Sequence, residues 1–123
     1  MSQRILIADD DYDLRTIVSD YLRSLGFETV LATNGEEALS GIKAQKPDLV
    51  VLDLSMPKMS GWDVAKAVRE DPESRRIPII AFTAHALKGA DTHALESGCD
   101  AYLAKPFDPD VLLEKIRKLL PKS

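Results

Sequence analysis

Apolar residues along this chain fall into two alternating patterns. Short, nearly unbroken runs rich in Ile, Val and Leu occupy 4–8, 48–52 and 77–82, and such runs mark strands buried on both faces of a parallel sheet. Between them apolar positions recur every three or four residues, which is helical periodicity. Leu14, Ile17, Val18, Tyr21, Leu22 and Leu25 predict a first helix over 13–25, stopped by Gly26. A second short strand is predicted over 27–31. Asn34 then reads as the N-cap of a helix carrying Glu37, Ala38, Leu39, Ile42 and Ala44, with Glu37 placed to complete a capping box.

The third apolar run leads straight into Asp53. A turn follows in which Pro57 fixes its own φ and Gly61 is expected to take a backbone conformation that other residues avoid. The next helix carries Trp62, Val64, Ala65 and Val68 to about Arg69, and Asp71-Pro72 ends it. Over 86–97 the helical pattern is weak: Gly89 lies inside it, at about 1 kcal/mol relative to alanine, and Leu87, Ala90, Ala94 and Leu95 are small or few. A last strand is predicted over 101–104, closed by Lys105-Pro106. A final helix over 109–120 opens with Pro109 and is expected to bury Val111, Leu112, Ile116, Leu119 and Leu120. Five βα units thus account for the chain, which makes the fold class α/β, a doubly wound parallel sheet of five strands.

Composition narrows the picture without changing it. The chain has 123 residues, of which 45% are hydrophobic, enough for one core, so a single domain over 1–123 is expected. One cysteine, Cys99, excludes an internal disulfide and suits a reducing compartment. No apolar run near the N-terminus is long enough for a signal peptide or a membrane span, so a cytoplasmic location without membrane insertion is expected. The formal net charge of -4, with no dense Lys/Arg run, argues against direct binding of nucleic acid.

In a parallel α/β sheet ligands bind outside the carboxyl ends of the strands. Those ends carry Asp9 and Asp10 after the first strand, Asp53 after the third, Thr83 after the fourth and Lys105 after the fifth. Any one of these residues alone reads equally well as a solvated loop residue. Together they place three carboxylates close enough to repel one another, and a cation must offset that repulsion. Oxygen ligands in a compact group suit Mg²⁺, with Mn²⁺ chemically acceptable.

A carboxylate beside such a cation is either a ligand only or a nucleophile towards phosphorus. The second reading gives every other group a task, because phosphoryl transfer needs negative charge held on equatorial oxygens. The metal holds one oxygen, the ammonium of Lys105 a second, and the Thr83 hydroxyl with an N–H near Ala84 the third. Thr83 would then be drawn towards the new phosphoryl group, and Tyr102, on the neighbouring strand, would move inward beside the weak 86–97 segment.

These residues resemble the receiver domain of two-component response regulators, the CheY-like family. The resemblance covers the whole chain and is carried by Ile7-Ala8-Asp9-Asp10, by Val51-Leu52-Asp53-Leu54-Ser55-Met56-Pro57 with Ser60-Gly61, by Ile80-Ala81-Phe82-Thr83-Ala84, and by Tyr102-Leu103-Ala104-Lys105-Pro106-Phe107. It implies the flavodoxin-like strand order 2-1-3-4-5. It further implies that Asp10, Asp53 and the backbone carbonyl of Ser55 ligate the metal, while Asp9 acts more through water and hydrogen bonds. The family takes its phosphoryl group from a phosphohistidine on a sensor histidine kinase or a histidine phosphotransfer protein, and it hydrolyses its own phosphoaspartate. Ser55 and His85 stand at positions that tune the lifetime of that adduct. Only Pro121-Lys122-Ser123 follow the last helix, so output by contact with a downstream protein is expected, unless the chain is a receiver excised from a hybrid kinase or a multidomain regulator. The segment 83–89 looks closer to single-domain relay or cell-cycle receivers, and to receivers of hybrid kinases, than to the chemotaxis member.

The remaining features have plainer readings. Cys99 reads as a small residue beside a turn, His93 as a half-exposed helix residue, and Met56 and Met59 as packing for the loop beside Pro57. No glycine-rich turn follows the first strand, which excludes a dinucleotide fingerprint. Two competing functions share part of the chemistry: a metal-dependent phosphohydrolase, for which the chain has no substrate-selecting insertion, and a binding module that keeps the fold but takes no phosphoryl group.

Overall fold

The structure, a computed structural model, describes residues 3–54, 56, 58–83, 98–104 and 108–120. Its elements run β1 (Arg4–Ala8), α1 (Tyr12–Ser24), β2 (Glu28–Ala32), α2 (Gly35–Gln45), β3 (Leu49–Asp53), α3 (Gly61–Glu70), β4 (Ile79–Thr83), β5 (Ala101–Ala104) and α4 (Pro109–Leu119). The predicted helix over 86–97 lies outside the described residues.

The strands form one parallel sheet in the order β2-β1-β3-β4-β5, the order expected from the resemblance. Side chains alternate across a strand, and here both faces are covered. Leu6, Ala8, Val50, Leu52, Ile79 and Ala81 pack one way, against Ala38 and Ile42 of α2 and Val64, Ala65 and Val68 of α3. Ile5, Ile7, Leu49, Val51, Ile80, Phe82 and Leu103 pack the other way, against Val18 and Leu22 of α1 and Leu112 and Ile116 of α4. Burial on two faces is why the central strands carry unbroken apolar runs rather than alternating ones.

Side-chain caps fix where the helices start. Asp11 accepts from the N–H groups of Asp13 (3.0 Å) and Leu14 (3.4 Å) at α1, and Asp108 accepts from Asp110 N–H (2.9 Å) at α4, with Pro109 in the first turn. At α2, Asn34 caps the Glu37 N–H at 2.9 Å as predicted. The return half of the capping box differs: the Glu37 carboxylate accepts from the Thr33 N–H (2.8 Å) and the Thr33 hydroxyl (2.7 Å), one residue before the cap. Those two bonds hold the Glu37 carboxyl below its ordinary range.

Two other expectations are corrected. β4 starts at Ile79 rather than Ile77, because the Ile77 carbonyl accepts from Arg69 Nη1 at 2.7 Å. Val111 is 40% exposed rather than buried: the buried stripe of α4 runs through Leu112 and Ile116, and Val111 lies about a quarter turn to one side of it.

Candidate functional site

Register brings the predicted carboxylates together. β1 and β3 are neighbours with Ala8 opposite Leu52, so the next residues, Asp9 and Asp53, stand side by side at the carboxyl edge of the sheet. Carboxylate oxygens of Asp9, Asp10 and Asp53 all lie within 4.8 Å of one another. Asp9 and Asp53 are buried and Asp10 is exposed. The Asp9 N–H donates to the Ala32 carbonyl at 3.1 Å, which ties this residue to the end of β2. Its carboxylate accepts from the Asp11 N–H at 2.8 Å, so Asp9 is held by the turn it belongs to.

Three carboxylates so close favour a counter-cation. The donor set is oxygen only, it is compact, and Asp10 leaves it open to solvent on one side. Those features fit a hard divalent ion such as Mg²⁺, which keeps several of its own waters.

On the other side of Asp53, β3 pairs Asp53 with Phe82, and β4 pairs Thr83 with Ala104. Thr83 therefore ends β4 one step beyond the level of Asp53, and β5 ends beside it with Ala104. The side chain of Thr83, together with Ser55, Ala84, His85 and Lys105, lies outside the described residues.

Tyr102 sits on β5 opposite Ala81. Its half-buried ring packs against the cluster beneath α2 and α3, and its hydroxyl is buried with no hydrogen-bond partner among the described residues. A buried polar atom left in that state is destabilising. Tyr102→Phe is therefore expected to raise stability by about 1 kcal/mol, read as a higher urea midpoint at an unchanged slope; a lower midpoint would contradict it.

The turn after Asp53 is pressed against the end of β3. Leu54 N–H donates to the Phe82 carbonyl (3.0 Å), Gly61 N–H donates to the Leu54 carbonyl (3.2 Å), and Leu54 and Met56 are buried. Met56 and Met59 pack into the core cluster, as their sequence positions suggested. Gly61 was expected to supply an unusual φ, but among the described residues of the turn the one in the left-handed region is Lys58, at φ 67. Gly61 is needed for space: a Cβ there would run into the carbonyl oxygen of Asp53 and come within 2.7 Å of Leu54 Cα. Gly35 plays the same part at α2, where a Cβ would strike the backbone carbonyl of Met59.

Two arginines matter that sequence reasoning passed over. Arg15, in α1, donates from Nη1 to the Asp9 carbonyl at 2.8 Å. Arg69, near the end of α3, donates to the carbonyls of Gly98 (2.8 Å), Arg75 (2.9 Å) and Ile77 (2.7 Å) and to Asp100 (2.6 Å). Both stand where a helix commonly carries a solvated charge, and nothing in their spacing sets them apart. Beside Arg69, Cys99 is buried and its thiol is pushed up to about 11, chiefly by burial. It is thus a packing residue and not a thiolate at neutral pH.

Among the described residues no helix is long and apolar enough to cross a membrane. A family model described as the response regulator receiver domain matches residues 5–117. The polar-differentiation response regulator DivK of Brucella anthropi is 35% identical over 120 residues, covering 98% of each chain. A response regulator structure from Chloroflexus aurantiacus superposes with a TM-score of 0.93 at 34% identity, over 99% of this chain and all of that one. The receiver domain of a sensor histidine kinase from Pseudomonas aeruginosa, described with a magnesium ion coordinated in its active-site cleft, gives a TM-score of 0.88 at 33% identity over 97% of this chain and 98% of that one.

Proposed function

Because the chain belongs to the response regulator receiver domain family, we propose that Asp53 accepts a phosphoryl group from the phosphohistidine of a sensor kinase or phosphotransfer protein, and that the phosphorylated chain signals by binding a downstream protein. The observation that carries this is the convergence of Asp9, Asp10 and Asp53 within 4.8 Å at one sheet edge. In this reading the whole of 1–123 is one receiver domain acting in the cytoplasm.

Chemically, a carboxylate oxygen of Asp53 attacks phosphorus. The P–N bond to the imidazole breaks, its electron pair stays on the imidazole nitrogen, and an acyl phosphate forms. Burial of Asp53 at the end of a central strand limits its freedom and keeps bulk water away from the attacking oxygen. Mg²⁺, or Mn²⁺ in its place, would be held by Asp10, Asp53 and the Ser55 carbonyl, with Asp9 supporting through hydrogen bonds, and would neutralise charge on the phosphoryl oxygens. Lys105 and the Thr83 hydroxyl are assigned to the other two oxygens. Thr83 and Tyr102 form the switch between unphosphorylated and phosphorylated surfaces. Ser55 and His85 flank the route of the water that later hydrolyses the adduct and so set its lifetime.

The test uses acetyl phosphate and Mg²⁺ with intact-mass detection. A single phosphoryl adduct is expected on the wild-type chain, none on Asp53→Asn, and none when EDTA removes the cation. Continuous release of phosphate from many equivalents of donor, with no adduct, would point instead to a phosphohydrolase.

A further inference from the structure

We propose that Arg15 is a positioning residue for the divalent-cation site, acting through the peptide that joins Asp9 to Asp10. This rests on the reading of Asp9, Asp10 and Asp53 as that site. The three successive peptide units around the two aspartates are held in three different ways. The N–H before Asp9 is tied to Ala32 of β2 (3.1 Å). The N–H after Asp10 is tied to the carboxylate of Asp9 (2.8 Å). The unit between them has its carbonyl, that of Asp9, held by Arg15 Nη1 at 2.8 Å. The backbone N–H of Arg15 also donates to the Asp11 carbonyl at 3.0 Å, so this one residue fixes carbonyls on both sides of Asp10.

Asp10 is the exposed member of the cluster, and the bonds of this turn reach its neighbours rather than its own carboxylate. Its direction is therefore set by the backbone on either side of it. The Arg15 guanidinium also lies 5.6 Å from the centre of the Tyr12 ring, within cation–π range. Two effects of Arg15 on a cation oppose each other: its charge repels the ion, and its hydrogen bond pre-aims a ligand. The bond runs directly to the peptide that carries Asp10 and is partly shielded from solvent, so alignment is expected to dominate.

Mg²⁺ binding to the unphosphorylated chain, followed by calorimetry with MgCl₂ and by amide shifts of Asp9, Asp10 and Asp53, tests this. Arg15→Met keeps the apolar stem, removes the charge and removes the donor; about tenfold weaker Mg²⁺ binding is expected, at the lower end for a group that orients metal ligands. Arg15→Lys is expected to recover part of the loss, and Tyr12→Ala to weaken binding in the same direction but less. Amide spectra away from the site should stay superimposable, which a general loss of folding would not allow. Unchanged or tighter binding by Arg15→Met overturns the inference, and so does Tyr12→Ala with wild-type affinity should Arg15→Met not fold. A wild-type chain that binds no Mg²⁺ would instead remove the reading of the site itself.

Discussion

Gly61→Ala is expected to slow phosphorylation of Asp53 by about a hundredfold, the size of effect produced when reacting groups are displaced by about an ångström. The added methyl meets the carbonyl oxygen of Asp53 and the Cα of Leu54. Both are backbone atoms in a tight segment whose ends are pinned by Leu54 N–H to the Phe82 carbonyl and Gly61 N–H to the Leu54 carbonyl. A flexible side chain could move aside; these atoms move only if the end of β3 moves, and Asp53 moves with it. The same overpacking should lower stability by about 1–3 kcal/mol. Adduct formation timed by intact mass, beside urea unfolding, separates the two effects, and a wild-type phosphorylation rate would refute the first.

Arg69→Met is expected to act on stability alone, with a loss of about 2–4 kcal/mol and phosphorylation little changed. Three carbonyls, those of Gly98, Arg75 and Ile77, lose their charged donor at once, and Asp100 loses its partner at 2.6 Å. Unsatisfied groups of this kind each contribute about 1 kcal/mol or more when buried, and the range is kept low because the Arg69–Asp100 pair is partly exposed, at 24% and 38%. Asp100 also accepts from the Ile79 N–H at 2.8 Å, so the network joins the end of α3 to the entry points of β4 and β5. Those are the amino ends of the strands, away from the carboxyl edge where Asp53 lies. Urea unfolding gives the stability change; a midpoint equal to wild type would show that water replaces the guanidinium without loss.

The fold was legible because its central strands are nearly unbroken apolar runs and its helices are not. A run such as Leu49–Asp53 admits few other roles once Pro47 and the turn after Asp53 bound it, and the carboxylates that come together, Asp9, Asp10 and Asp53, stand at the ends of two such runs. What could not be read was contact-level. The carboxylate of Glu37 had two N–H groups within reach and took that of Thr33 because the Thr33 hydroxyl adds a second bond. Gly61 carried a signal for permissiveness, but sequence does not say whether a glycine is wanted for its φ or for its missing side chain. Val111 lies next to the buried stripe of α4, and a shift of one residue moves a side chain by about 100° around a helix. Arg15 and Arg69 bond to carbonyls, and every residue has a carbonyl, so no residue type elsewhere in the chain marks their partners.

The order of the strands has one more consequence. Asp9 and Asp53 stand on β1 and β3, each flanked on both sides, whereas Tyr102 stands on the four-residue β5 at the margin of the sheet. Marginal strands take part in partial openings that interior ones resist. An opening of β5 at the margin would therefore leave the hydrogen-bonded neighbours of β1 and β3 in place, and with them the carboxylates of Asp9 and Asp53, so on the proposed reading movement at Tyr102 need not disturb the geometry of the cluster.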